Sequence, residues 1–165
     1  MEPEPEAQEE FYVPSAPRHE EFPRTPAGGI WTLGGRIAWV AGLVLMLSSF
    51  MDWYAVPPPS LVSAPTTAVI GWHTGVLGKL VFFLGLALVV LAVLREFGIE
   101  LPPAVPESLV VIAIGAISTI FVIIRLISIP DEFQPGAGRG IGIWISLIAS
   151  LAVIFAGLLR AGEEL

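Results

Sequence analysis

The chain has 165 residues, 55% of them hydrophobic and only 14% charged, with a mean hydropathy of +0.80 and a formal net charge of −7. That balance excludes an ordinary soluble domain, which needs more surface charge, and points to a multi-span membrane protein. The acidity and the lack of any basic stripe exclude nucleic-acid binding. The absence of cysteine excludes disulfides, thiolate metal sites and a cysteine nucleophile.

Residues 1–30 hold seven glutamates and six prolines against Arg18 and Arg24. Such a segment cannot bury enough apolar surface to offset its ordering entropy, so 1–29 is expected as a disordered acidic cytoplasmic tail. Two aromatic islands, Phe11-Tyr12-Val13 and Phe22-Pro23, are its candidate docking motifs for a cytosolic partner. The first apolar stretch follows this acidic leader near Ile30, which is unlike a cleavable signal peptide.

The fold class expected is all-α: an antiparallel bundle of four transmembrane helices over about 30–53, 74–95, 108–129 and 139–160, in a domain covering 30–162. In the first span, Gly34, Ala38 and Gly42 recur every four residues and form a small-residue ridge for helix packing. Trp31 and Trp39 lie toward one interface and Trp53 with Tyr54 at the other, as an aromatic belt would place them. The stretch up to Gly71 contains Pro57-Pro58-Pro59 and Pro65, and reads as a loop; residues 66–70 have strand propensity, but an isolated strand is marginal.

The second span carries a seam of Gly71, Gly75, Gly78, Phe82, Gly85, Val89 and Ala92, with Lys79 beside it one turn in. The third span, 108–129, organises the rest: it is long enough to cross a hydrocarbon core of roughly 30 Å and carries one charge, Arg125. Its seam of Ser108, Val111, Gly115, Ser118, Val122, Arg125 and Ile129 is the least oily face, so the helical period directs Arg125 inward. The fourth span has a ridge of Gly142, Ser146 and Ser150, expected to meet the ridge of the first.

Four spans put both termini on one side. Arg18, Arg24, Arg36, Arg95 and Arg160 fall there, against Lys79, Arg125 and Arg139 opposite, so the positive-inside bias makes the termini cytoplasmic. The outer end then gathers Asp52, His73, Lys79, Arg125, Asp131, Glu132 and Arg139. These residues either pair as structural charges, Arg125 with Asp52 first, or recognise a headgroup, ion or small solute. His73 lacks a second imidazole in the membrane portion, so no metal is expected. GAGRGIG at 136–142 lacks the strand and lysine of a phosphate-binding loop, and no nucleophile–base arrangement is visible. Neither a cofactor nor an enzymatic activity is expected.

The Trp53-Tyr54 pair, Gly-Trp-His-Thr-Gly at 71–75, Arg-Leu-Ile-x-Ile-Pro at 125–130 and Gly-Arg-Gly-Ile-Gly-Ile-Trp at 138–144 resemble uncharacterised small four-helix integral membrane proteins of actinobacteria. The resemblance spans about residues 31–160. It implies the fold and a bacterial plasma membrane, and carries over no activity. The function expected is a structural or interaction subunit of a membrane assembly, in contact with the bilayer, a membrane-protein partner or further copies of itself. A small-solute or ion transporter is the alternative, and an enzyme acting on lipid headgroups a more distant one.

Overall fold

The computed structural model describes residues 32–56, 66–99, 105–129 and 136–163. The acidic tail, Trp31, the proline run after Val56, and Asp131 with Glu132 lie outside the described residues. The order of elements is α1 (Leu33–Ser48), β1 (Asp52–Val56), β2 (Thr67–Ile70), a 3₁₀ turn (Gly71–His73), α2 (Val76–Glu96), α3 (Glu107–Ile127), β3 (Gly138–Arg139) and α4 (Ile141–Glu163). The chain is mostly helical. Three of the helices, α2, α3 and α4, are long and apolar enough to cross a membrane, and α1 is a shorter apolar helix.

The first departure from the sequence reading is the end of α1. A helix to residue 53 was expected; α1 stops at Ser48. The Ser48 hydroxyl donates back to Leu45 O (2.7 Å), and the next three N–H groups close tight i→i−3 bonds: Ser49 to Met46 O, Phe50 to Leu47 O and Met51 to Ser48 O. After that tightening, Asp-Trp-Tyr-Ala-Val is aromatic and β-branched enough to pair as a strand. It does so in the middle of a three-stranded sheet of order β2-β1-β3, antiparallel on both sides. The segment at 67–70, marginal alone, is stable here because β1 supplies its ladder.

Trp53 and Tyr54 are therefore not an interfacial belt. Both are fully buried, at 0% exposure, in a core with Leu45, Val81, Val122 and Ile143. The Trp53 indole N–H donates to Ser48 O (2.9 Å), which satisfies the indole and gives the last carbonyl of α1 a second donor beside Met51 N–H. Gly71 lies against the indole: a Cβ there would stand 2.6 Å from the ring. The alternation of small residues thus lets the sheet lie directly on the helix ends.

The helices pack as a ring in which α1 touches α2 and α4, and α3 touches α2 and α4. Neighbours run antiparallel, since Gly42 meets Leu88 while Met46 meets Gly85, and Gly115 meets Ile154 while Gly157 meets Ile112. The seam read on α3 holds: Ser108, Val111, Gly115, Ser118 and Val122 are its buried residues, and Ile117, Ile120, Ile123, Ile124 and Ile127 are exposed. On α2 the buried stripe is Gly78, Val81, Gly85 and Leu88, so Phe82, Val89 and Ala92 sit half-buried at its margin. α2 ends on Gly98 in the left-handed region (φ 74°), with Ile99 N–H returning to Leu94 O, a glycine-dependent helix stop.

The expected contact between the first and last helices is present, but its register differs from a simple ridge-on-ridge. Gly34 meets Arg160 and Ala156 of α4, whereas Gly42 faces α2 at Leu88. Ala38 is buried with Leu88, Val111, Val153 and Ala156. Gly142 abuts Met51 and Asp52, and Ser146 donates to the Ser48 hydroxyl (2.7 Å); Ser150 is buried and bonds back to Leu147 O. Ala38 is ten residues before Ser48, roughly 15 Å along the axis. Cysteines at 48 and 146 in this cysteine-free chain are expected to cross-link rapidly under mild oxidation, and cysteines at 38 and 146 are not. Gel mobility with and without reductant reads the difference, and the reverse order would displace this register.

Candidate functional site

Charged side chains collect at the two ends of the helices, and the middle holds apolar side chains with a few hydroxyls bonded back to their own helix. At the end that holds the sheet, two groups finish α3. The Tyr54 hydroxyl donates to Arg125 O (2.6 Å) and the Arg139 guanidinium Nε donates to Leu126 O (2.6 Å). A helix leaves its last carbonyls without intrahelical partners, and these two donors, from adjacent strands, take two of them. Tyr54 and Arg139 are directly paired across β1 and β3, so the sheet register delivers both at once. Arg139 was expected to open the last helix; it belongs to β3 instead, because Gly140 N–H continues the ladder to Trp53 O (2.7 Å) and α4 starts only at Ile141.

Arg125 itself is half-buried in the last turn of α3, as its seam position implied. Its Nε is buried and has no hydrogen-bond partner. Its Nη2 fills the space beside Gly75, where a Cβ would stand 2.7 Å away. Asp52, the expected partner, is exposed at the start of β1, and no ion pair joins it to Arg125 among the described residues. His73 is exposed at the end of the 3₁₀ turn. Lys79 is exposed too, with its Nζ 5.7 Å from the centre of the Trp72 ring, in cation–π range. Trp72 in turn stacks on Phe50 (5.7 Å) and meets Phe82 edge-on (5.2 Å). The structure thus gathers Arg125, Arg139 and Tyr54 in one place and sets Lys79 apart on an aromatic patch.

Burial pushes the Tyr54 phenol above its ordinary range, and the positive charges of Arg125 and Arg139 draw it partly back. The phenol is therefore held neutral in the fold, as a donor to Arg125 O requires.

The opposite end holds a contact that sequence reasoning missed. Glu107, in the first turn of α3, forms ion pairs with Arg95 (3.0 Å) and Arg160 (2.6 Å), which lie in the last turns of α2 and α4. Arg160 is 6% exposed, and its Cγ also lies against Gly34 of α1. A narrow cleft lined by Gly35, Trp39, Ala92, Arg95, Glu107 and Arg160 marks the meeting of all four helices. Each charge also suits its helix end, acid at an N-terminus and bases at C-termini. The available signal was positional: in an antiparallel ring, the end of the second helix, the start of the third and the end of the fourth share a level. The sequence reading counted Arg95 and Arg160 for topology and passed over Glu107.

Along the helices, Ser118 bonds back to Ile114 O and Thr119 to Gly115 O, so both hydroxyls are satisfied within α3. Among the described residues no group of three or more His, Asp or Glu lies together as a metal would need. An open groove of about 340 Å³ lies between α1 and α4, lined by Ile37, Val40, Ala41 and Val44 on one side and Ile145, Ile148, Ala149 and Ala152 on the other. No protein family, curated protein or solved structure matches this chain.

Two outcomes follow from the charged ends. Glu107→Gln leaves two arginines sharing no carboxylate, in a site neither fully buried nor fully exposed. A loss of about 2 kcal/mol is expected, between the surface and buried limits, read as a lower melting temperature in detergent; Glu96→Gln, at an exposed position, should change little. Tyr54→Phe removes a part-buried hydrogen bond and is expected to cost about 1–2 kcal/mol. Because the folded phenol titrates above its ordinary value, its contribution is complete below about pH 10 and lost as pH rises through the folded value. The wild type should therefore lose more stability than Tyr54→Phe in that alkaline window, and parallel curves would contradict the assignment.

Proposed function

We propose that this chain is a four-span protein of a bacterial plasma membrane, with both termini cytoplasmic, that acts as an assembly subunit and not as a catalyst. Support for the spans comes from three long apolar helices and from α1 packing beside them as an equal member of the ring. The bacterial setting rests on the resemblance of the 53–54, 71–75, 125–130 and 138–144 motifs. The cation bias toward Arg18, Arg24, Arg36, Arg95 and Arg160, five against Lys79, Arg125 and Arg139, supports the orientation. On this reading the acidic tail, outside the described residues, is available to a cytosolic partner.

The observation that carries the assembly role is the groove between α1 and α4. It has an alanine floor at Ala41, Ala149 and Ala152 and no polar side chain in its lining. Beside it, on the same helix, stands an exposed ridge of Leu151, Phe155 and Leu158. A groove and a ridge side by side on one face are self-complementary, the requirement for a two-fold contact. Small residues let helices approach closely where lipid gives no hydrophobic drive for association. The occupant on this reading is therefore a second copy of the chain, the ridge of each seated in the groove of the other.

The transport alternative has less support, since Leu45, Val81, Val122 and Ile143 fill the space beneath the sheet and Leu88, Val111, Val153 and Ala156 fill the rest. Differently tagged copies reconstituted together in nanodiscs test the proposal. Co-capture is expected for the wild type, and a loss of at least tenfold for Ala152→Phe, which fills the groove from a half-buried position, with the melting temperature held. Wild-type copies that never co-capture, with lipid filling the groove in native mass spectra, would overturn it.

A further inference from the structure

The ion pairs among the described residues all lie at the Glu107 end, while the sheet end carries two arginines around one neutral phenol. Arg139 has a carbonyl for its Nε. Arg125 has nothing: its guanidinium forms no hydrogen bond or ion pair with any described residue, and its Nε is shut away from water. A half-buried guanidinium whose Nε has lost hydration without replacing it bears a cost, and its Nη groups remain open to an anion that would offset the charge.

The surroundings sharpen the argument. Arg125 Nη2 reaches the start of α2 beside Gly75, whose φ of 100° and missing side chain leave the space the guanidinium occupies. The first turn of α2 contains no acidic residue, Gly75 offers no side-chain cap, and the Thr74 hydroxyl turns away to Gly71 O (2.6 Å). The positive end of a helix dipole therefore faces an arginine with no negative group of the described residues between them, an arrangement that repels unless an anion enters. Arg139 adds a second positive charge from β3, close enough to act on the same phenol.

We propose that Arg125, backed by Arg139 and seated beside Gly75, is a binding site for a phosphate-type anion, taken through the planar guanidinium fork. A tetrahedral oxyanion matches that fork in two parallel hydrogen bonds, which a lysine ammonium cannot reproduce. Arg125 stands two residues before the end of an apolar helix, the level at which the phosphates of a bilayer lie if α3 spans one. Two sources supply the same chemistry: the phosphodiester of an anionic lipid headgroup, and inorganic phosphate. The site does not depend on the dimer proposed above, because it faces the sheet and not the α1–α4 groove.

The test uses the full chain. Thermal unfolding is followed in neutral detergent with inorganic phosphate against chloride at matched ionic strength, and in nanodiscs of phosphatidylglycerol against phosphatidylcholine. Stabilisation by both anions identifies a general phosphate site; stabilisation by phosphatidylglycerol alone identifies a headgroup site. In either case Arg125→Lys should weaken the effect at least tenfold in apparent affinity, Arg139→Gln should weaken it less, and Arg36→Gln, at the far end of the helices, should leave it intact. If Arg125→Gln fails to fold, Arg125→Lys keeps the charge and still reads the fork. No stabilisation of the wild type by either anion overturns the proposal, as does an undiminished effect in Arg125→Lys. A wild type indifferent to both anions but destabilised by Asp131→Asn or Glu132→Gln would assign Arg125 to an internal carboxylate. Tag co-capture is scored separately, so failure of this site and failure of the assembly reading are distinguishable.

Discussion

The structure depends on one strand lying flat across the ends of the helices. β1 can do so because Gly71, Gly140 and Gly142 present no side chain where it passes: a Cβ on any of them would sit within 3 Å of Trp53, the Asp52 carbonyl or Met51. Once β1 is there, its two aromatic side chains become the floor of the cap. Trp53 fastens to the last carbonyl of α1, and Tyr54 fastens to the end of α3. The same strand thus ties together two helices that do not otherwise pack closely on each other.

Polar groups are divided between the two ends in different ways. At the Glu107 end, one carboxylate serves two arginines from two helices. At the sheet end, the donors go mainly to backbone carbonyls of α3, and Arg125 has no ion-pair partner among the described residues. The contrast is physical. An acid at a helix start and bases at two helix ends satisfy charge and dipole together, whereas a tyrosine and an arginine capping carbonyls satisfy hydrogen bonding without supplying a negative charge.

Much of the helical core was legible, because a seam at a period near 3.6 is a strong signal over twenty residues. The buried face of α3 reads directly from Ser108 to Val122, and the inward position of Arg125 follows from it. The end of α1 did not read. Phe50 to Val56 is mostly apolar apart from Asp52, and a strand whose adjacent Trp53 and Tyr54 are both buried lacks the alternation that would distinguish it. Its partners are also remote: β2 begins eleven residues beyond the end of β1, and β3 lies past two further helices. Glu107 was missed for a related reason. Its role depends on which helix ends share a level, and a residue-by-residue scan treats it as a lone acid after a proline. Arg125 was placed, but its neighbours were not, since Gly75 and Tyr54 reach it only through the sheet.

The sheet's sequence order has a consequence for how the chain is assembled. β1 and β2 are neighbours in sequence and can pair as soon as both are made. β3 is separated from β1 by the whole of α2 and α3, and the Tyr54–Arg125 contact joins residues 71 apart. The far edge of β1 must therefore wait, unpaired, until two more helices have been synthesised and brought alongside. During that interval the open edge is the part of the chain most exposed to mispairing. The arrival of Gly138-Arg139 closes that edge and places the cap on α3 in the same step, so completion of the sheet reports that the third helix has taken its place.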